Sequence, residues 1–278
     1  MQVAREARGL LATMRERLRG RDTALIAAGL TFYAGIAVVP ALVLSLGLTS
    51  WVAGTDQVRT LTGELASVLP AELGAPAAVA RLAEAGTGLS VLGAVLTLLP
   101  ISLYGEGVRR ALLRFSPAHD RFTAWRGRLA SLPLLVLAPL LLYPLLLVGR
   151  LLARLSETPG FGATLGGFSA GYYSVLFALT LPLVWVFRVV AAGRLRWRAV
   201  LVGALFTAGS LSGFLQGFVL FLALPLDLGA PFGGLTVVGG VVAVGFWLFM
   251  LQFVLIAGWL FTEAIDERLR RGAPALSR

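Results

Sequence analysis

Residues 22–48 read DTALIAAGLTFYAGIAVVPALVLSLGL, and beyond Asp22 the chain carries no charge until Asp56. A helix rises about 1.5 Å per residue, so the segment from Ala24 to Leu48 is long enough to cross a hydrocarbon layer of about 30 Å with some tilt. A core helix of a soluble protein is rarely apolar on every side for so long, because one of its faces usually meets water. The stretch predicts a first membrane span.

Composition points the same way. Of 278 residues, 58% are hydrophobic and 14% charged, with a mean hydropathy of +0.85, which places the chain in the membrane class. The absence of cysteine and the single histidine, His119, exclude disulfides, thiolate metal sites and iron–sulfur clusters, so no metal or cofactor is expected. His119 beside Asp120 reads as a solvated loop side chain. All 24 basic residues are arginine, which excludes a P-loop and Schiff-base chemistry, since each needs a lysine amine. The glycine-rich runs GTGLSVLG (86–93) and GFGATLGGFSAG (160–171) therefore read as loops and packing surfaces rather than phosphate cradles.

The expected fold is all-α, a polytopic membrane protein with six spans. Residues 1–23 form a basic amphipathic segment, with Leu10, Leu11, Met14 and Leu18 at helical spacing, and read as an interfacial helix rather than a cleaved signal peptide. The membrane domain covers 24–262, with spans at about 24–48, 89–108, 129–149, 168–190, 199–224 and 235–261; residues 263–278 form a cytoplasmic tail. Between the first two spans, residues 49–87 predict one or two short helices on the membrane face. Each of the first four spans contains proline, which frees a backbone carbonyl that neighbouring groups must satisfy. In the fifth span Gly209, Gly213 and Gly217 make a stripe on one face that suits close helix packing.

Arginine placement sets the orientation. With a cytoplasmic N-terminus, 20 of the 24 arginines fall in cytoplasmic segments, a positive-inside pattern that puts both termini in the cytoplasm. Trp125, Trp185, Trp197 and Trp259 fall near that boundary and Trp51 near the other, as interfacial belts would.

The run GLTFYAGIAVVPALV (29–43), with Phe32 and Tyr33 followed by Pro40, resembles the signature of the YihY/BrkB family of bacterial inner-membrane proteins. FRVVAAGRLRWRAVLVGAL (187–205), FGG (232–234) and VVAVGFWLFMLQFVLIAG (241–258) resemble later family segments in order and spacing. Where the family carries an acid near the end of its last span this chain has Gly258, Trp259 and Leu260, so that acid is either displaced to Glu263 or lost. The resemblance implies six spans in the inner membrane, an envelope-associated role and an involvement in moving lipids; some members were once labelled ribonuclease BN.

The residues bear on three functions. A lipid-handling or transport component suits an apolar interior without midplane charges, because ion paths normally carry ionisable groups at depth. A membrane scaffold for an envelope partner is the alternative. A ribonuclease is disfavoured, since the longest cytoplasmic loop offers only Glu106, Asp120 and His119 for hydrolysis, and no enzyme is expected. Candidate polar or lipid-contacting residues are Asp22, Tyr33, Pro40, Tyr104, Glu106, Arg109, Arg110, Gln216 and Glu263. Asp22 reads as a helix cap or as part of a polar cluster. Glu106, Arg109 and Arg110 form either a snorkelling boundary worth at most about 1 kcal/mol or the rim of a crevice that holds an anionic headgroup. Expected partners are membrane lipids, anionic phospholipid among them; a periplasmic protein and a second copy stay open, and nucleic acid is not expected.

Overall fold

The computed structural model describes residues 9, 12–67, 69, 74–116, 133, 142–143, 145–148, 161–191, 195–222, 224 and 226–271. Among them there is no strand. Residues 12–18 are helical, and the main helices are α1 (Thr23–Ala53), α2 (Thr55–Ser67), α3 (Ala75–Thr87), α4 (Val91–Phe115), α5 (Phe161–Trp185), α6 (Trp197–Leu222) and α7 (Thr236–Arg271). A π-turn, Val186–Val190, prolongs α5, and a 3-10 turn, Ala230–Phe232, precedes α7.

Five of these helices are long and apolar enough to cross a membrane: α1, α4, the helix reaching Val190, α6 and α7. The third expected span, 129–149, lies largely outside the described residues; Pro133, Leu142, Tyr143 and residues 145–148 within it are helical. His119, Asp120 and Trp125 also lie outside them.

Local chemistry explains the boundaries. The Asp22 carboxylate accepts the Leu25 N–H at 3.0 Å, and the Ser90 hydroxyl accepts the Gly93 N–H at 3.1 Å, so α1 and α4 both start on a side-chain cap. α1 runs unbroken through Pro40 and stops at Gly54, whose φ of 93° disfavours any side chain. It is thus longer than the expected span. α7, at 36 residues, is about 54 Å long and outreaches the hydrocarbon layer, so the expected tail begins as a continuation of the helix up to Arg271. Residues 49–87 do hold two short helices, α2 and α3, which pack on each other and on α1.

Packing is concentrated at the arginine-rich end. The start of α1, the ends of α4 and α5, the start of α6 and the second half of α7 meet in one core that includes Leu30, Leu112, Phe115, Phe187, Val200 and Trp259. Met14 and Leu18 pack against it, so the amphipathic N-terminal helix covers the bundle's end rather than resting on lipid alone. At the opposite end a smaller cluster joins Leu46 to Val58, Leu61 and Leu146. Trp259 is corrected from its expected interfacial place: it is fully buried, with its ring 5.5 Å from that of Phe187.

The surface is inverted relative to a water-soluble protein. Glu106, Arg109, Gln252, Glu263 and Asp266 are buried, whereas Leu25, Val91, Leu96, Val237 and Val241 are widely exposed. Such contiguous apolar exposure is tolerated when lipid is the solvent. With five apolar helices, the protein is a multi-pass membrane protein.

Candidate functional site

Glu106 and Arg109 are three residues apart on α4, so they share one face of the helix. That face turns inward: their exposures are 4% and 1%. Arg109 Nε donates to Glu106 Oε2 at 2.8 Å and Arg109 Nη2 to Oε1 at 2.8 Å, a bidentate pair. Arg110, one position on, points outward with 63% of its side chain exposed, and its Nε donates to the same Oε1 at 2.7 Å. The expected cluster is therefore divided. Arg109 is a structural partner of Glu106 and is not placed to meet a lipid, a correction that follows from its orientation into the bundle rather than from its type.

A second ionic assembly ties the N-terminal helix to α7. Arg17 pairs with Glu263 and reaches Glu267 at 3.3 Å, and Glu267 also pairs with Arg271. Ser116, just past α4, hydrogen-bonds Glu263 as well. Glu263 is thus a junction of three segments. Asp266 accepts the backbone N–H of Arg196 at 2.8 Å and Nε of Arg270 at 2.6 Å, which anchors the start of α6 to the end of α7. Arg188 donates to the Leu195 carbonyl and lies 5.0 Å from the centre of the Trp197 ring, closing the same corner.

Deeper in the bundle the Tyr104 hydroxyl meets the Gln252 amide at 3.3 Å, linking α4 to α7. Gln216 lies against Gly171 of α5. Around the glycine stripe, Gly209 and Gly213 face Tyr172 of α5, while Gly217 faces Trp247 of α7. One stripe serves two neighbours.

Beside α1 lie two clefts. The first, about 340 Å³, runs between α1 and α4. Its apolar wall includes Leu25, Gly29, Tyr33 and Leu103, and its rim carries Glu106, Arg110 and Arg114. Gly107 is what admits Tyr33: a Cβ there would lie 3.0 Å from the tyrosine ring. A smaller hollow of about 290 Å³ continues past Leu25, Ile26 and Arg114 to Arg21 and Asp22. The second cleft, about 650 Å³, lies on the other flank of α1 against α7 and is lined by Thr31, Gly35, Val38, Val241 and Gly245 among others. Pro40 lines neither cleft.

Several of these groups escape the sequence reading. Arg17, Arg21 and Arg114 look like ordinary positive-inside charges, and Asp266 like a tail residue. The signal for Arg114 is its spacing, four residues after Arg110 and hence on the same face. Chemically the site sets an apolar wall against a cationic rim. Among the described residues, no group of three or more His, Cys, Asp or Glu stands together to hold a metal.

Comparison with known proteins agrees with the residues. No curated protein and no solved structure matches the chain. The family model described as Virulence factor BrkB matches residues 14–277, from the N-terminal helix through every span and beyond the Glu263 junction. Matched over nearly its whole length, the chain belongs to the BrkB (YihY) family.

Proposed function

We propose that the protein is a phospholipid-handling transport component of the bacterial inner membrane, with six spans and both termini in the cytoplasm. The observation that carries this reading is the cleft between α1 and α4, apolar along its depth and charged at its rim, as an amphiphile requires. The second cleft, on the opposite flank of α1, supports it by giving the same helix a second, almost wholly apolar trough beside α7. The orientation rests on the 20 of 24 arginines at one end. No catalytic step is assigned.

Reconstitution tests this directly. The full chain is placed in vesicles that carry a trace of fluorescent phospholipid, and a membrane-impermeant reductant is added outside. Transport predicts that label in the inner leaflet is bleached in proteoliposomes and protected in empty vesicles. Equal protection in both would overturn the proposal.

A further inference from the structure

The cleft between α1 and α4 ends in more positive charge than its own acids balance. Around the rim and the hollow that continues it stand Arg21, Arg110 and Arg114 against Glu106 and Asp22, three cations to two anions, while Arg109 neutralises Glu106 from inside the bundle. The anions already have partners. Glu106 is held by Arg109 from inside and by Nε of Arg110 from outside, and Asp22 caps α1 through the Leu25 N–H. What remains available is the outer edge of the Arg110 guanidinium, together with Arg114 one turn further along the same face, which is exposed to the cleft. Arg21 completes the group from the α1 side, its guanidinium donating to the Arg17 carbonyl at 2.8 Å and lying 5.6 Å from the centre of the Phe115 ring, which fixes its direction.

Depth matters as much as charge. Counting about 20 residues of helix for a hydrocarbon layer of about 30 Å, a span that begins at Val91 emerges near residue 111. Arg110 therefore stands at the hydrocarbon edge and Arg114 in the headgroup layer just beyond it, and the apolar wall of the cleft continues inward from them toward Tyr33.

We infer that Arg21, Arg110 and Arg114 form a binding subsite for the phosphate of an anionic phospholipid whose acyl chain lies in the α1–α4 cleft, with Glu106 and Arg109 as positioning residues. This rests on the lipid-handling reading and names its substrate class. Guanidinium forks match phosphate oxygens in pairs, whereas a zwitterionic headgroup would bring an ammonium into a rim that already has excess positive charge. The buried Arg109–Glu106 pair gives the rim its rigidity, because it holds the carboxylate that orients Arg110.

The test uses native mass spectrometry of the full-length protein in detergent, offered phosphatidylglycerol and phosphatidylethanolamine of identical acyl chains. Wild type is expected to retain phosphatidylglycerol preferentially. Arg110→Gln/Arg114→Gln should lower that preference about tenfold, the loss of a charge-assisted contact, while Arg59→Gln, which removes an arginine from α2 at the far end, should not. Gly29→Leu guards against misfolding: a Cβ at Gly29 meets nothing within 4 Å, and the position lines the cleft, so the added side chain is expected to occupy it. It should reduce retention of both lipids with the thermal unfolding midpoint unchanged. An unchanged preference in the double variant overturns the subsite, as does displacement of bound lipid by inorganic phosphate alone, which would mark a site for the free anion. Intact lipid preference in a protein that moves no lipid between leaflets would sink the proposed function and leave the subsite standing.

Discussion

At the scale of single residues, Glu106 and Arg109 show how burial changes what an ion pair does. On an exposed helix the pair is worth about 1 kcal/mol or less, but a buried charge that loses its partner costs about 3–5 kcal/mol. Glu106→Gln is therefore expected to lower stability in detergent by that larger amount, and Arg109→Lys to lower it too, since an ammonium cannot reproduce the two-point contact. Replacing both by apolar residues, Glu106→Leu/Arg109→Met, should recover most of the loss; thermal unfolding of the three variants checks this, and a silent Glu106→Gln would contradict the burial. Deeper in the membrane the Tyr104–Gln252 contact is worth less. Tyr104→Phe should cost about 0.6 kcal/mol, near the mean for hydrogen bonds between spans. A loss several times larger, measured by the same unfolding, would mean that the hydroxyl has a further role.

Among the elements, the α6–α7 contact holds a lock that the glycine stripe does not reveal. The sequences GALFT (203–207) and GWLFT (258–262) lie on antiparallel neighbours, and each glycine receives the other helix's threonine: Gly203 faces Thr262 and Gly258 faces Thr207. Each threonine hydroxyl donates to the carbonyl of its own helix's glycine at 2.7 Å, so the polar group is satisfied while its methyl fills the gap. A Cβ on either glycine would occupy the threonine's place. Gly203→Ala is thus expected to destabilise by about 1–3 kcal/mol through overpacking, with Gly203→Ala/Thr262→Ala partly relieving it. Gly213→Ala makes the contrast, because its Cβ would lie 4.0 Å from the Tyr172 ring, an ordinary contact. It should be neutral or stabilising by up to about 1 kcal/mol, the propensity gained over glycine. Equal losses from the two alanines in thermal unfolding would refute the distinction.

Across the whole molecule the main core and the buried charges gather at the arginine-rich end, while the opposite end rests on α1, α2 and α3. The absence of cysteine makes the topology testable with single introduced thiols. Gly63→Cys on α2, exposed and with open space at its Cβ, should react with an impermeant maleimide from outside the cell, and Glu16→Cys only after the membrane is opened. The reverse pattern would invert the orientation. Five of the six expected spans, those the structure describes, were legible in the sequence, since a run such as Ala24–Leu48 must enter lipid whatever it packs against. Boundaries were less so: α1 and α7 continue past the apolar runs because a helix once formed extends wherever its backbone stays bonded and its side chains find partners, as Glu263, Glu267 and Asp266 do. The candidate site was only half legible. Glu106, Arg110 and Tyr104 were readable from type and spacing and Tyr33 from the family resemblance, but a helix apolar on every side has no stripe to show which face turns inward, so only the tertiary structure decided that Arg109 is buried, that Arg110 and Arg114 rim a cleft, and that Arg21 joins them from the link before α1. Lipid accepts any apolar face equally, and the choice among faces is made by how helices fit one another.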